Sequence, residues 1–169
     1  RRSADATVAY QDFAILYRTN AQSRALEDAF RRRGVPYQIV GGVRFYERRE
    51  IQDVLAYLRL ISNPRDAAAF QRVVNVPKRG IGATSQGRFL GWATEAGLSP
   101  LEAVERVDEV PDLPRGARKA LRAFGELIRD FSLRATRLSV GTLLEELLEE
   151  LDFLAQLRAE GPEGEDRAE

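Results

Sequence analysis

The chain has 169 residues, 44% apolar and 31% charged, with 26 basic side chains balanced by 26 acidic ones. This composition suits one globular domain or two small ones, and no apolar run approaches the roughly 18 to 20 residues that span a bilayer, so a soluble, cytoplasmic protein with no membrane partner is expected. Cysteine and histidine are both absent, which removes disulfides, thiolate chemistry and the commonest metal ligands and general bases, and with them most catalytic constellations.

Residues 12–17 (DFAILY) form a short apolar run of strand length. A helix is expected next: Thr19 or Asn20 can cap it, Ala21, Ala25, Leu26, Ala29 and Phe30 fall at helical spacing, and Gly34 followed by Pro36 ends it. Residues 37–40 (YQIV) read as a second strand, stopped by Gly41 and Gly42. Strand, helix and strand in about 30 residues predict a βαβ unit, the start of a parallel sheet. Two strands do not make a stable sheet alone, so further strands would have to come from other polypeptide or the piece would be poorly formed.

From Arg49 onward the signals are helical. Ile51, Val54, Leu55, Leu58 and Ile61 make a stripe ended by Asn63 and Pro64, and Asp66 can cap a short helix carrying Phe70, Val73 and Val74. A turn over residues 76–82 (VPKRGIG) leads into a helix with Phe89 and Trp92 that Gly97 terminates, and Ser99-Pro100-Leu101-Glu102 is a capping box. Leu121, Phe124, Ile128 and Phe131 form another stripe, and Val140, Leu143, Leu144, Leu147, Leu148, Leu151 and Leu154 the last. The fold class expected is therefore mixed α/β: a short βαβ piece followed by an all-α domain. The polar, turn-rich end from about residue 160 reads as a flexible loop.

The neutral net charge hides a polarity. Residues 1–90 carry sixteen basic and eight acidic side chains, and residues 91–169 carry ten and eighteen, which points to an anion-facing half and a half that faces something else. The chain opens with Arg1 and contains no methionine, so it reads as a piece of a longer polypeptide.

No G-x-x-x-x-G-K-[ST] loop is present, so no nucleotide cradle is recognisable. Gly80-Ile81-Gly82 lacks the third glycine of a dinucleotide fingerprint and follows a helix rather than a strand. It has a better use. Glycines at 80 and 82 permit close approach to a bulky partner, Ile81 can anchor the turn in a core, and the helix start that follows offers free N–H groups to a phosphate, with Lys78, Arg79 and the Thr84 hydroxyl beside it. Helix, glycine turn and helix in this order look like a helix-hairpin-helix, a module that holds duplex DNA by its backbone. Arg18 and Asn20 fall just after the first expected strand and Arg44 just after the second, where open α/β sheets place ligand-binding residues. The bland alternatives are a helix cap for Asn20 and an ordinary connecting turn at residues 77–84. Phe45 and Tyr46 could stack on unpaired bases or pack at a hinge.

Four segments occur in a recognisable order: residues 14–24 (AILYRTNAQSR), residues 41–51 (GGVRFYERREI), residues 57–61 (YLRLI) and residues 74–82 (VNVPKRGIG). Together they closely resemble the UvrD/PcrA/Rep branch of superfamily 1 DNA helicases, plainly from about residue 12 to residue 84 and more weakly to the end. The resemblance implies a 3′-to-5′, ATP-driven helicase of DNA repair or replication built from two RecA-like motor domains with helical insertions. Residues 1–46 would be part of the second motor domain, and residues 47–169 most of the helical domain inserted into it. It also implies that Arg18, Asn20 and Arg44 line a single-strand track, that Lys78, Arg79, Gly80, Ile81, Gly82 and Thr84 grip duplex ahead of the fork, and that Gly41, Gly42 and Arg48 form a hinge. ATP and magnesium would be cofactors of the whole protein, with no catalytic residue in this stretch, and repair or transcription proteins could meet the helical domain. The alternative from another class is a non-catalytic DNA-binding or protein-docking module.

Overall fold

The computed structural model describes residues 9–18, 22–39, 45–161 and 164, with the backbone alone at Phe45. Among these residues every regular element is a helix. The expected mixed α/β class is thereby corrected. Residues 13–17 form no regular element, and Leu16 is 95% exposed and Phe13 69%. A strand holds its shape only when its N–H and C=O groups meet a neighbouring strand, and no such ladder exists among the described residues. Apolar content gave residues 12–17 the look of a strand without a sheet to join. Val40, the end of the second expected strand, lies outside the described residues.

Two compact units divide the chain: residues Arg1–Arg48 with Ala155–Glu169, and residues Arg49–Leu154. In the first, a 3-10 turn at Tyr10–Asp12 precedes α1 (Ser23–Arg33), which Gly34 ends in the left-handed conformation at φ +64°. Thr19 and Asn20, the expected caps, lie outside the described residues. Tyr37 doubles back over α1: its ring stacks on Phe30 at 5.4 Å and its hydroxyl donates to Glu27 Oε2 at 3.1 Å. Residues that spacing suggested as a strand thus pack on the helix before them.

The second unit carries α2 (Arg49–Ser62), α3 (Ala67–Val73), α4 (Ala83–Glu95), α5 (Pro100–Glu105), α6 (Arg115–Arg134) and α7 (Val140–Glu150). Asp66 caps α3 by accepting from Ala69 N at 2.8 Å, and Ser99 and Glu102 form the expected reciprocal box at the start of α5. The core is aromatic. Phe70 lies stacked on Phe89 at 5.6 Å and edge-on to Phe124 at 5.4 Å, while Tyr57 is tilted against Phe124 at 6.2 Å, each pair adding about 0.5–1.5 kcal/mol beyond the area it buries. The α6 stripe of Leu121, Phe124, Ile128 and Phe131 is buried as its spacing suggested. On α2 the phase differs. Ala56, Tyr57, Leu60 and Ile61 are buried with Glu50 and Asp53, whereas Leu55 is exposed and Ile51, Val54 and Leu58 are half-buried. Apolar spacing ranked leucine and isoleucine over tyrosine and so misplaced the inner face.

Polar side chains lock these helices. Ser132 Oγ donates to Ile61 O at 3.0 Å, tying α6 to the end of α2. Arg72 reaches back from α3 to Asp53 at 2.8 Å; burial nevertheless pushes the Asp53 carboxyl above its ordinary range, and the arginine offsets only part of that. Helices α5 and α6 approach closely at Gly125, where an added Cβ would lie 2.6 Å from Val104 Cγ1. Alanine ordinarily stabilises a helix interior relative to glycine by about 1 kcal/mol. Here the stiff, buried Val104 must give way, so Gly125→Ala is expected to lower the stability by about 1–2 kcal/mol, read as a reduced denaturant midpoint at unchanged slope; a raised midpoint would refute the close contact.

Candidate nucleic-acid interface

The residues singled out between α3 and α4 come together in one turn. Asn75 begins it: its Oδ1 accepts from Arg79 N at 2.8 Å and Ile81 N at 3.2 Å, closing the loop over four and six residues. Gly80 has φ +78°, a conformation that other residues adopt at a cost. Ile81 is buried and pins the turn to the core, while Lys78, Gly80, Gly82 and Thr84 are exposed. Gly82 is the N-cap of α4 and supplies no side-chain acceptor, and the first turn of α4 holds no acidic residue. The first N–H groups of a helix have no partner within it. The loop therefore delivers an uncapped, unneutralised helix start to solvent, flanked by a lysine, a hydroxyl and backbone with no side chains to keep a large ligand away.

Arg79 is turned the other way. Its Nη1 lies 3.0–3.3 Å from the carbonyl oxygens of Val73, Val74, Val76 and Pro77, sharing two hydrogens among four acceptors, and its Nη2 donates to Tyr57 Oη at 2.6 Å. The same guanidinium sits 5.0 Å from the centre of the Phe124 ring. Two of those carbonyls close α3, whose last turn otherwise leaves acceptors unsatisfied, and a cation is favourable at that end. Tyr57 Oη in turn donates to Val76 O at 2.5 Å. Sequence reasoning gave Arg79 a part in the grip and Phe124 a place in the α6 stripe, but gave Tyr57, Asn75 and Phe124 no part in the turn, which they hold in shape. The available signals were that Tyr57 and Asn75 fall in two of the segments that carry the resemblance, that Asn75 is one of three asparagines in the chain and that Tyr57 interrupts an aliphatic stripe.

The other site residues do not join this turn. Arg18 is exposed in the first unit, and its backbone N–H donates to Gln22 Oε1 at 2.9 Å. Without a sheet it lies on the approach to α1 rather than at a strand end. Asn20, Gly41, Gly42 and Arg44 lie outside the described residues. Arg48 is half-buried and is the last residue before the boundary between the two compact units. Tyr46 packs within the first unit, with Arg31 over its ring at 4.6 Å and its hydroxyl 3.4 Å from Asp28 Oδ1.

A family model described as the UvrD-like helicase C-terminal domain matches residues 1–106, which include the whole turn. The chain belongs to the UvrD-like helicase family. It is 46% identical over 149 residues to the ATP-dependent DNA helicase PcrA of Bacillus subtilis, covering 88% of this chain and 20% of that protein. It is 44% identical over 138 residues to the PcrA of Leuconostoc citreum, covering 82% and 18%, and 39% identical over 151 residues to that of Staphylococcus aureus, covering 89% and 20%. The chain spans about a fifth of the length of the curated relatives it matches. Those relatives are named as ATP-dependent. No group of three or more Asp and Glu residues among the described residues could hold a cation, and the sequence has no phosphate loop. No helix among the described residues is long and apolar enough to cross a membrane.

Burial pushes the Tyr57 phenol up from 10.0 to about 12, with Arg79 opposing the shift. The fold keeps the neutral phenol, and an unfolded tyrosine ionises first. The stability tied to this group is therefore whole below pH 10 and lost as pH climbs toward 12, a fall of about 2–3 kcal/mol over that interval. Tyr57→Phe is expected to remove much of this alkaline loss while lowering neutral-pH stability by about 1–3 kcal/mol, because Val76 O and Arg79 lose a buried partner. Urea unfolding at pH 7, 10 and 11.5 reads both effects, and an unchanged alkaline slope in the variant would show that the phenol is not the titrating group.

Proposed function

We propose that this chain is the DNA-holding part of an ATP-dependent 3′-to-5′ DNA helicase acting in repair or replication, and that the turn from Lys78 to Thr84 grips the duplex backbone. The observation that carries this reading is the division within the turn. Arg79, Asn75, Tyr57 and Ile81 spend their interactions on its shape, which leaves the α4 helix start, Lys78, Thr84 and two glycines exposed together. A phosphate seated there would receive N–H groups from the first turn of α4, a lysine charge and a hydroxyl, and would meet no side chain over Gly80 or Gly82. None of these contacts depends on the base, so the grip is independent of sequence.

In the same reading Arg18, Asn20 and Arg44 contact the single strand, and the helical unit swings on residues Gly41, Gly42 and Arg48 as the motor closes. The exposure of Arg18 and the unit boundary at Arg48 support those assignments. ATP and magnesium act elsewhere in the whole protein, so no nucleotide step is assigned to this chain's residues. The chain on its own is expected to hydrolyse no ATP, with or without DNA.

The test is binding of the purified chain to a fluorescent fork over a salt series. Affinity should fall steeply with salt and be indifferent to base sequence. Lys78→Ala with Thr84→Ala should weaken it about 3- to 30-fold and make the dependence of log K on log salt shallower by about 1. Salt-insensitive or base-selective binding, or full affinity in the double variant, would defeat the reading.

A further inference from the structure

Helix α6 opens with a second concentration of cations that the turn does not use. Arg115, Arg118, Lys119 and Arg122 are spaced i, i+3, i+4 and i+7, so they share one face over the first two turns. With Leu113 and Asp108 they line a concavity of about 580 Å³. The arrangement is costly to the folded chain. Every i, i+3 and i, i+4 pair within this set is a like-charge pair, and cations at a helix start oppose its dipole. The first turn of α6 contains no acidic residue and its cap, Pro114, provides no side-chain acceptor. Among the described residues a single carboxylate answers the four charges, Asp108 meeting Arg122 at 2.7 Å. Arg118 donates from Nη2 to Val110 O at 2.9 Å, and its Nε is buried without any acceptor. Arg115 and Lys119 are exposed and form no ion pair among the described residues.

The length of this face fits a polyanion. Arg115 to Arg122 span about 10 Å along the helix axis, on the side of α6 turned away from Phe124 and the Arg79 it meets. From α4 the guanidinium of Arg88 hydrogen-bonds Asp112 O in the loop that leads into α6. Duplex DNA carries one charge for about every 1.7 Å of axis, so a face about 10 Å long meets several phosphates. A small anion would need fewer charges than four.

We propose that the face formed by Arg115, Arg118, Lys119 and Arg122 is a second contact for duplex DNA backbone, separate from the Lys78–Thr84 turn. The identity of the ligand as duplex rests on the reading given above. The site takes phosphodiester oxygens through charge and guanidinium hydrogen bonds, reads no base, and relieves the repulsion among its own cations when occupied.

Arg115→Ala with Lys119→Ala removes the two exposed, unpaired cations and is expected to leave the melting temperature nearly unchanged. In the full chain, binding to a blunt duplex of about 20 base pairs should weaken about 3- to 30-fold, and the slope of log K against log salt should become shallower by about 2. The Lys78→Ala, Thr84→Ala variant is measured on the same duplex. A loss confined to the α6 variant upholds the second contact and removes the turn from the grip; a loss confined to the turn variant does the reverse and overturns the inference. Unchanged affinity and slope in the α6 variant overturn it, as does a loss equal in size on single strand of the same length.

Discussion

One guanidinium organises the turn between α3 and α4. Arg79 lies where α3 ends, where α4 is about to begin and where the ring of Phe124 closes the core, and its nitrogens bind four carbonyls and one phenol. A loop of this length leaves several backbone acceptors facing inward, and each left unsatisfied in a buried place would cost about 1–3 kcal/mol. The planar fork of arginine answers several of them at once, which a flexible lysine ammonium does less well. Tyr57 completes the arrangement by taking one guanidinium hydrogen and passing its own to Val76.

That inward use of charge explains how a short turn can be both rigid and accessible. Asn75 and Ile81 fix the loop from one side and Arg79 from the other, so no ligand is needed to shape it. What remains outside is mostly backbone: two glycines, the free N–H groups of α4, one lysine and one hydroxyl. A surface of that kind suits a polymer whose backbone repeats while its bases vary. The same economy does not hold at the start of α6, where four cations meet one carboxylate among the described residues. The two places therefore differ in chemistry, one being a shaped cradle and the other a charged wall.

Much of the helical unit was legible in the sequence. The caps at Asp66 and Ser99 are local hydrogen bonds and the α6 stripe is a simple period, so neither depends on distant residues. The phase of α2 was not legible, because Tyr57 is buried for a polar contact to a loop nearly twenty residues on. The strand expectations failed for a related reason. A strand is defined by its neighbour, and residues 12–17 and 37–40 declare apolar content without declaring a partner; Tyr37 found its place on α1 instead. Of the candidate site, Gly80, Gly82 and Ile81 could be placed from their conformational and apolar character. The inward aim of Arg79 could not, since its acceptors are main-chain carbonyls that no side-chain pattern records.

The most direct test of this account is Arg79→Lys, which keeps the charge and discards the fork. Stability by urea unfolding and affinity for duplex at fixed salt should both fall, by about 1–3 kcal/mol and severalfold respectively, because lysine cannot span the carbonyls of α3, the loop and the Tyr57 hydroxyl together. A lysine variant that is as stable and binds as tightly as the parent chain would contradict it, and would make residue 79 an interchangeable surface charge.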